Sequence, residues 1–423
     1  MSICKNRAWD TLTRLSFERI SGSDKELEAA KLLQEECRKA GVEATIESFE
    51  IAAPQVHEVK LEIIKPEIQE FYCTGIGKSG TTPDEGICGP LVYIHAGEDE
   101  NITDVKGKIV MSTGGMSSDL RKKLVAKGAI GYITTWGGFY DDEIMKTQVP
   151  HRNSTIAKDD DSNFPGVLMN LYTAEQLLKA KPEEVRIILK QDKDTKGESR
   201  NVVATIEGTN LKDEIVVFSA HYDSVEFSSG AWDNATGSIT ILELLHYFQE
   251  NRPSRTVKFV WCGSEEIGLC GSYAFCEAHK EDLDKIILNI NFDMTGVLMG
   301  CDMIYGSVDK SIIDRAAYLA KVDGHALTVG GMGLMPSDST SFALHEVPAL
   351  SFGTRTPRGG AEIHSRRDTM EHLDADKFIG LCEFVAKFSS EIINAKVNVV
   401  PRQLPKEVKD QEESMRKRLG YEK

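Results

Sequence analysis

Five side chains in the second half of the sequence have the chemistry of metal ligands. They are His221, Asp233, Glu266, Asp293 and His364, and a further carboxylate, Glu265, adjoins the third. Imidazole and carboxylate groups without a thiolate favour zinc, cobalt or manganese in an open, hydrolytic site over a closed structural one. Several acidic groups buried together without cations would repel one another and be forced to protonate. The cluster therefore predicts bound metal.

The expected number of ions is two. The Asp233 carboxylate, within GAWDNATG, has one oxygen for each cation and can hold two of them roughly 3.5–4 Å apart. His221 and Asp293 can complete the ligand shell of one ion. Glu266 and His364 can complete the shell of the other.

Two more carboxylates have roles in this arrangement. Asp223, two residues after His221, can accept the second ring N–H of that histidine and fix its tautomer. Glu265 is left without a metal to bind, so it can take a proton from a metal-bound water and return it to a leaving amine. The expected reaction is hydrolysis of an amide.

Short apolar runs of strand length precede most of these residues and explain how they converge. The runs are 214–220, 255–262, 286–292 and 348–352, and the helical patterns between them are 236–250 and 271–279. Strands that alternate with helices predict an α/β fold with a mixed, mostly parallel sheet and helices on both faces. Active sites in such sheets lie beyond the carboxyl ends of the strands, where these residues fall.

Five motifs in this order resemble the M28 family of co-catalytic zinc aminopeptidases. They are HYD from His221, GAWDNATG, GSEEIGLCGS from Gly263, NFDMTG from Asn291 and HSRRDT from His364, and the segment from Glu18 resembles the family's opening helix and strand. The resemblance implies a zinc-exopeptidase fold and two Zn²⁺ ions, with Co²⁺ or Mn²⁺ as substitutes. It also implies a bridging Asp233, terminal ligands at the other four positions, Glu265 as catalytic base, and peptides with a free amino terminus as substrates.

Two features depart from the family pattern. Many members have an Asp-His pair where this chain has SDSTSF at Ser337 to Phe342, so a substrate contact from that histidine is not expected. The stretch around the last ligand also carries four arginines, namely Arg355, Arg358, Arg366 and Arg367. They are either solvated loop charges or include one that binds a substrate carboxylate through a bidentate contact, which would favour very short peptides or an acidic residue near the cut.

The segment before His221 is too long to be a loop of one compact domain. Its alternating strand and helix patterns resemble a protease-associated (PA) domain, a small α/β insert whose expected role is to cover the active site and shape specificity, although a plain spacer is the alternative. We therefore expect a discontinuous catalytic domain at 1–55 and 195–398, an insert at 56–194 and a charged tail at 399–423.

Composition bears on partners and location. The net charge is −16 and no basic block is interleaved with aromatics, which argues against nucleic acid. No apolar run approaches the ~18 residues that cross a bilayer, and MSICKNRAWDTL lacks the apolar core of a secretory signal. Nine cysteines without a CxxC favour neither a disulfide framework nor a thiolate zinc site. We expect a cytoplasmic protein without a membrane partner, and a homo-oligomer remains open.

Three functions are compatible with these patterns. The first is a dinuclear zinc aminopeptidase. The second is another amide-processing enzyme of the same superfamily, such as a dipeptidase, a carboxypeptidase or a glutaminyl cyclase; the cyclases work with one ion, whereas all five ligand positions are kept here. The third is a binding protein of the transferrin-receptor type, which lacks the intact metal set and carries a membrane anchor. The intact ligand set favours the first.

Overall fold

The computed structural model describes residues 3–139, 141–153, 162–357 and 359–421. It divides into two compact units. The first unit comprises Met1–Ile51 and Glu198–Met415, and the second comprises Ala52–Gly197 and Arg416–Lys423. The second unit contains the segment 56–194 that the sequence predicts as an insert.

The elements follow one another in this order along the chain. The opening segment has α1 (Lys5–Leu15), α2 (Asp24–Lys39) and β1 (Ala44–Ala52). The middle segment has β2 (Gln55–Lys65), β3 (Gln69–Phe71), β4 (Thr74–Gly77), β5 (Ile87–Gly89), β6 (Leu91–Tyr93), β7 (Ile109–Met111), α3 (Ser118–Ala126), β8 (Gly131–Trp136), β9 (Arg152–Asn153), β10 (Gly166–Asn170), α4 (Leu171–Lys179) and β11 (Glu184–Asp192). The last segment has β12 (Lys196–Ile206), β13 (Leu211–His221), α5 (Thr236–Glu250), β14 (Arg255–Cys262), α6 (Cys270–Ala278), β15 (Ile286–Phe292), β16 (Cys301–Ser307), α7 (Lys310–Asp323), β17 (Leu327–Met332), α8 (Ser339–Leu344), β18 (Ala349–Arg355), α9 (Ala375–Ile393) and α10 (Lys406–Leu419).

Several helices begin at residues whose side chains satisfy the exposed N–H groups of the first turn. The hydroxyl of Ser23 accepts from the Glu26 N–H at the start of α2, and the Asp374 carboxylate accepts from the Lys377 N–H at the start of α9. Helix α7 ends at Gly324, which adopts φ 69°, a left-handed conformation that glycine reaches without a Cβ clash. Local sequence therefore fixes where these helices begin and end.

The first unit is built around a mixed sheet. Within the described residues this sheet has eight strands in the order β1-β12-β14-β13-β15-β18-β16-β17. Neighbours are parallel at β14/β13, β13/β15, β15/β18 and β16/β17, and antiparallel at β12/β14 and β16/β18. The predicted fold class is confirmed.

Alternate side chains of the central strands enter two different cores. On β13, Val216 and Phe218 lie in the large core with the helices α1, α2, α5, α7 and α9, whereas Ile215 and Val217 lie in a smaller core with α6 and α8. Because a strand has a side-chain period of two, a run that is apolar at every position must be covered on both faces. The helices supply that cover, and the central strands form a rigid platform.

The second unit has its own two sheets and cores. In the part of the chain that the structure describes, one sheet runs β6-β7-β8-β10-β4-β9 and the other runs β3-β2-β11-β5. β6, β7, β8 and β10 are mutually parallel, whereas β2 and β11 pair antiparallel. Leu61, Ile187 and Met169 belong to a buried cluster between them, so this unit has a core of its own.

The predicted tail is partly packed. Val400, Leu404 and Val408 are buried, and α10 begins at Lys406. Hence the residues after position 398 contribute apolar contacts as well as charge. As for membranes, each helix among the described residues falls short of the length or apolarity that a bilayer span requires.

Replacing Phe218 with alanine should destabilise the first unit by about 3–5 kcal/mol, the usual cost of an aromatic side chain lost from a packed core. Its ring is fully buried and lies 5.5 Å from that of Phe259 and 5.9 Å from that of Phe248, centroid to centroid. Denaturant unfolding, followed by circular dichroism, measures the loss. Tyr318→Ala is the control, because Tyr318 is 59% exposed and should change stability by about 0.5 kcal/mol or less. Equal effects from the two variants would contradict this account of the core.

Candidate metal centre

Three parallel strands end at the candidate site. His221 is the last residue of β13 and pairs in register with Cys262, the last residue of β14. Asp293 directly follows β15, which pairs with β13 on its other side. Because the carboxyl ends of parallel neighbours meet at one sheet edge, side chains far apart in sequence are brought together there.

The first group of potential ligands consists of His221, Asp233 and Asp293, whose ligand atoms all lie within 4.8 Å of one another. The Nε2 atom of His221 is 3.2 Å from Asp233 Oδ1 and 3.5 Å from Asp293 Oδ1. All three residues are buried. This is the set predicted for one ion.

The second group consists of Asp233, Glu266 and His364, again with ligand atoms within 4.8 Å of one another. The Nε2 atom of His364 is 3.1 Å from Asp233 Oδ2 and 3.0 Å from Glu266 Oε2. Asp233 belongs to both groups, and it presents Oδ1 to His221 and Oδ2 to His364. One carboxylate thus faces two sites with one oxygen each, as a bridging ligand would.

The donor set fits a pair of hydrolytic metal ions. Each group supplies three protein atoms of nitrogen or oxygen type, which leaves room in a tetrahedral shell for water or substrate. Glu266 Oε1 and Asp293 Oδ1 are buried and accept no hydrogen bond from the described residues. Buried carboxylate oxygens normally have a partner, and a cation would supply it.

Glu265 lies beside these groups without belonging to either. Its Oε2 atom is 4.0 Å from His221 Nε2, and its side chain is 12% exposed. Burial raises the pKa of its carboxyl well above the usual range, and Glu266 and Asp293 add to this shift against the opposing effect of His221. A carboxyl with a raised pKa accepts a proton more readily than one in water, as a general base must.

Asp223 contacts the backbone that carries the two glutamates. Its Oδ1 accepts from the Glu265 N–H at 3.0 Å and its Oδ2 from the Glu266 N–H at 3.2 Å and the Ser21 hydroxyl at 2.8 Å. Its Oδ1 is also 3.5 Å from His221 Nδ1, which is long for a hydrogen bond. The predicted role in orienting His221 stays a prediction, whereas its hold on the glutamate segment is direct.

Two residues to which the sequence reasoning gave no role also support the ligands. The carboxylate of Asp368 accepts from the N–H groups of Trp232 at 2.7 Å and Asp233 at 3.1 Å. The Ser337 hydroxyl donates to Asp293 Oδ2 at 2.8 Å. Both lie inside stretches that the sequence singled out, HSRRDT and SDSTSF. Their place within these two stretches is the only sign of their roles in the sequence. The loop geometry, which the sequence does not reveal, decides which groups they contact.

The two stretches that depart from the family pattern are SDSTSF and the arginine-containing segment around His364. Ser339, in SDSTSF, is buried and its hydroxyl is 2.7 Å from the Ser351 hydroxyl. Among the arginines, Arg367 pairs with Glu362 at 3.2 Å, and Arg355 and Arg366 are exposed. Arg358 lies outside the described residues.

The carboxylates around the two histidines change the proton affinity of the imidazoles. Burial acts to lower the pKa of His221, but Glu265, Asp223, Asp233 and Asp293 raise it well above its usual value. Burial likewise acts against protonation of His364, yet Glu266 and Asp233 raise its pKa to about 10. Both imidazoles therefore favour the protonated, cationic form when no cation is bound.

Comparison with known proteins links this geometry to one family. The family model described as Peptidase family M28 matches residues 201–389. Aminopeptidase YwaD of Bacillus subtilis is 25% identical over 421 residues, covering 95% of this chain and 87% of that protein. Human Carboxypeptidase Q is 22% identical over 307 residues, covering 68% of this chain and 65% of that protein.

Two solved structures have the same fold. BSAP, a zinc aminopeptidase from Bacillus subtilis, superimposes with a TM-score of 0.76 at 23% identity, covering 94% of this chain and 97% of its own. An aminopeptidase from Aneurinibacillus sp. strain AM-1 superimposes with a TM-score of 0.74 at 22% identity, covering 94% and 96%. The likeness extends over nearly the whole of each chain.

Zinc binding should release about two protons at neutral pH, one from each imidazole. The ring nitrogen that binds the metal must first lose its proton. Affinity should therefore rise as pH increases from 6.5 toward 10, by roughly tenfold per pH unit for each proton released. Calorimetric titration with Zn²⁺ in buffers of different ionisation enthalpy counts the protons.

His246 provides the control for that titration. Burial, helped by Arg7, lowers its pKa to about 4, so it is already neutral at pH 7. The variant His246→Gln should therefore leave the proton count unchanged. A binding enthalpy that does not vary with the buffer would show that the two ligand histidines are neutral before zinc arrives.

Proposed function

We propose that the chain is a metallopeptidase of family M28, whose model matches residues 201–389, and that it removes residues from the free amino terminus of peptides. The supporting observation is the Asp233 carboxylate, which faces one ligand group with each of its oxygens. The 25% identity to Aminopeptidase YwaD, across 95% of this chain, favours the same reaction here.

In this proposal two Zn²⁺ ions occupy the centre, and Co²⁺ or Mn²⁺ are substitutes. His221 and Asp293 would hold one ion, Glu266 and His364 would hold the other, and Asp233 would be shared by both. The donor atoms and the two unpaired carboxylate oxygens support this assignment. When bound, the ions supply Lewis acidity, which lowers the pKa of a water molecule and polarises the scissile carbonyl.

Glu265 performs the proton transfers. It takes a proton from the attacking water and delivers it to the nitrogen of the leaving peptide, so that one carboxylate serves both steps. Its position 4.0 Å from His221 Nε2, and a pKa that burial raises, support this role. Asp223 contributes by positioning, because it binds the N–H groups of Glu265 and of its neighbour Glu266.

The remaining assignments complete the proposal. The second unit acts as a PA-like domain that shapes specificity, in agreement with its own sheets and core. The cytoplasm is the proposed location, since all nine cysteines of the described residues are thiols rather than half-cystines.

A second candidate function is that of a dipeptidase or carboxypeptidase. The 22% identity to Carboxypeptidase Q, over 68% of this chain, favours it. Arg355 and Arg366 are exposed on the segment that carries His364, and either could receive a substrate carboxylate. The two functions differ in which end of the peptide must be free.

Glu265→Gln should lower kcat by about 10²–10⁴-fold while zinc content stays at the wild-type value, because the amide cannot accept the proton but the ligands are intact. Steady-state kinetics and elemental analysis of the purified protein measure the two effects. The neighbouring Glu266→Gln is the matched control: it makes the same chemical change at a proposed ligand and should lose zinc. Turnover at the wild-type rate in Glu265→Gln would remove that residue from its role.

Substrates with free and blocked amino termini separate the two candidate functions. Aminoacyl-nitroanilides should be cleaved, and their acetylated counterparts should be cleaved at least about a hundredfold more slowly, if the free amine is recognised. Equal rates would show that a free amine is not required and would contradict the aminopeptidase proposal. A dipeptide and its carboxyl-amidated form, assayed in parallel, then test whether a free carboxylate is required instead.

A further inference from the structure

A fully buried arginine outside the ligand set joins the two loops that carry metal ligands. Arg19, between α1 and α2, is 0% exposed. Its Nε donates to the carbonyl of Tyr222, its Nη1 to that of Ser229 at 2.7 Å, and its Nη2 to that of Gly230 at 2.9 Å. Two further carbonyls, those of Leu15 and Phe17, accept from Nη1.

The acceptors determine what this guanidinium holds in place. Tyr222 follows His221 directly, and Ser229 and Gly230 precede the irregular turn 231–235 that contains Asp233. Arg19 thus connects the end of β13 to the loop of the shared carboxylate. A planar group with five N–H donors can reach several carbonyls at once, and lysine cannot reproduce that geometry.

The charge of Arg19 also lies among the carboxylates of the site. Burial lowers its pKa to about 10, while Asp368, Asp223, Asp233 and Glu266 act in the opposite direction. The guanidinium therefore remains charged at neutral pH. It is a fixed cation within a strongly acidic region.

We propose that Arg19 is a positioning residue for the metal centre, holding the Asp233 loop against the end of β13 so that the bridging carboxylate and His221 keep the spacing that binds zinc. This inference rests on the proposed function, since it presupposes the metal site. It adds a residue that is not a proposed ligand and that lies outside the five motifs of the site, in the opening segment from Glu18.

A purely electrostatic role and a positional role of Arg19 predict opposite changes in zinc affinity when this residue is replaced. If Arg19 acted only as a nearby positive charge, it would repel the metal ions, and its removal would strengthen zinc binding. If it positions the loop, its loss weakens binding. Arg19→Lys keeps the charge and loses most of the hydrogen bonds, so it isolates the positional effect.

Arg19→Lys should weaken zinc binding by about 10- to 100-fold, as is usual when a group that orients a metal ligand is altered. Competition with a chelator of known affinity measures this, independently of activity. The matched control is Arg255→Lys. Arg255 is also 0% exposed and donates to the carbonyls of Ile392, Ile393 and Ala395, away from the candidate centre. The control should lose stability but bind zinc as the wild type does.

A second variant covers the case in which Arg19→Lys does not fold. A Cβ added at Gly230 would lie 2.6 Å from Ser224 Cβ, 2.7 Å from Arg19 Nη2 and 2.8 Å from the Asp233 carbonyl oxygen, and Gly230 has φ 55°. Gly230→Ala therefore strains the Asp233 loop where it contacts Arg19. It should also weaken zinc binding by about tenfold or more. Zinc affinity unchanged from wild type in either folded variant, or reduced equally in Arg255→Lys, overturns the inference. Failure of the wild-type chain to bind zinc would instead overturn the proposed function.

Discussion

Four carboxylates crowd around two imidazoles at the candidate metal centre. Asp233, Asp293, Glu265 and Glu266 are all largely withdrawn from water within a few ångströms of His221 or His364. Like charges in a medium of low dielectric constant repel strongly, and each also loses its hydration. Such a cluster persists only where the surrounding structure fixes its members and positive charge compensates them.

The fold meets the first requirement with a sheet that is packed on both faces. Since β13, β14 and β15 are buried above and below, their carboxyl ends move little relative to one another. The loops beyond the strands are then fixed by polar groups. Asp223 binds the N–H groups of the glutamate segment, and Asp368 binds the N–H groups at Trp232 and Asp233. Asp223 and Asp368 thus fix, through backbone N–H groups, the segments that present the candidate ligand carboxylates.

The sequence predicts the platform better than it predicts these supports. Helix α5 and strands β14 and β15 have the bounds expected from apolar periodicity, because their patterns are long and local. His221 and Asp293 are predicted for a related reason, since they directly follow the apolar runs 214–220 and 286–292. Asp368, Ser337 and Arg19 bind backbone or side-chain groups of distant loops. Hydrophobic periodicity does not predict which loops contact each other. The roles of these three residues are therefore evident only in the structure.

Positive charge is supplied in more than one form. Arg19 is charged at neutral pH and attracts the carboxylates of Asp368, Asp223 and Asp233, while surrounding carboxylates raise the pKa of both His221 and His364. With protons on both imidazoles, Asp233 and Glu266 Oε2 already have cationic partners, whereas Glu266 Oε1 and Asp293 Oδ1 accept no hydrogen bond from the described residues. Under the proposed function, metal binding exchanges protons for metal ions at atoms that already lie within 4.8 Å of one another in each group, so little of the binding free energy is spent on assembling the pocket. The same exchange makes metal affinity depend on pH, because every ion that binds must displace the protons that preceded it.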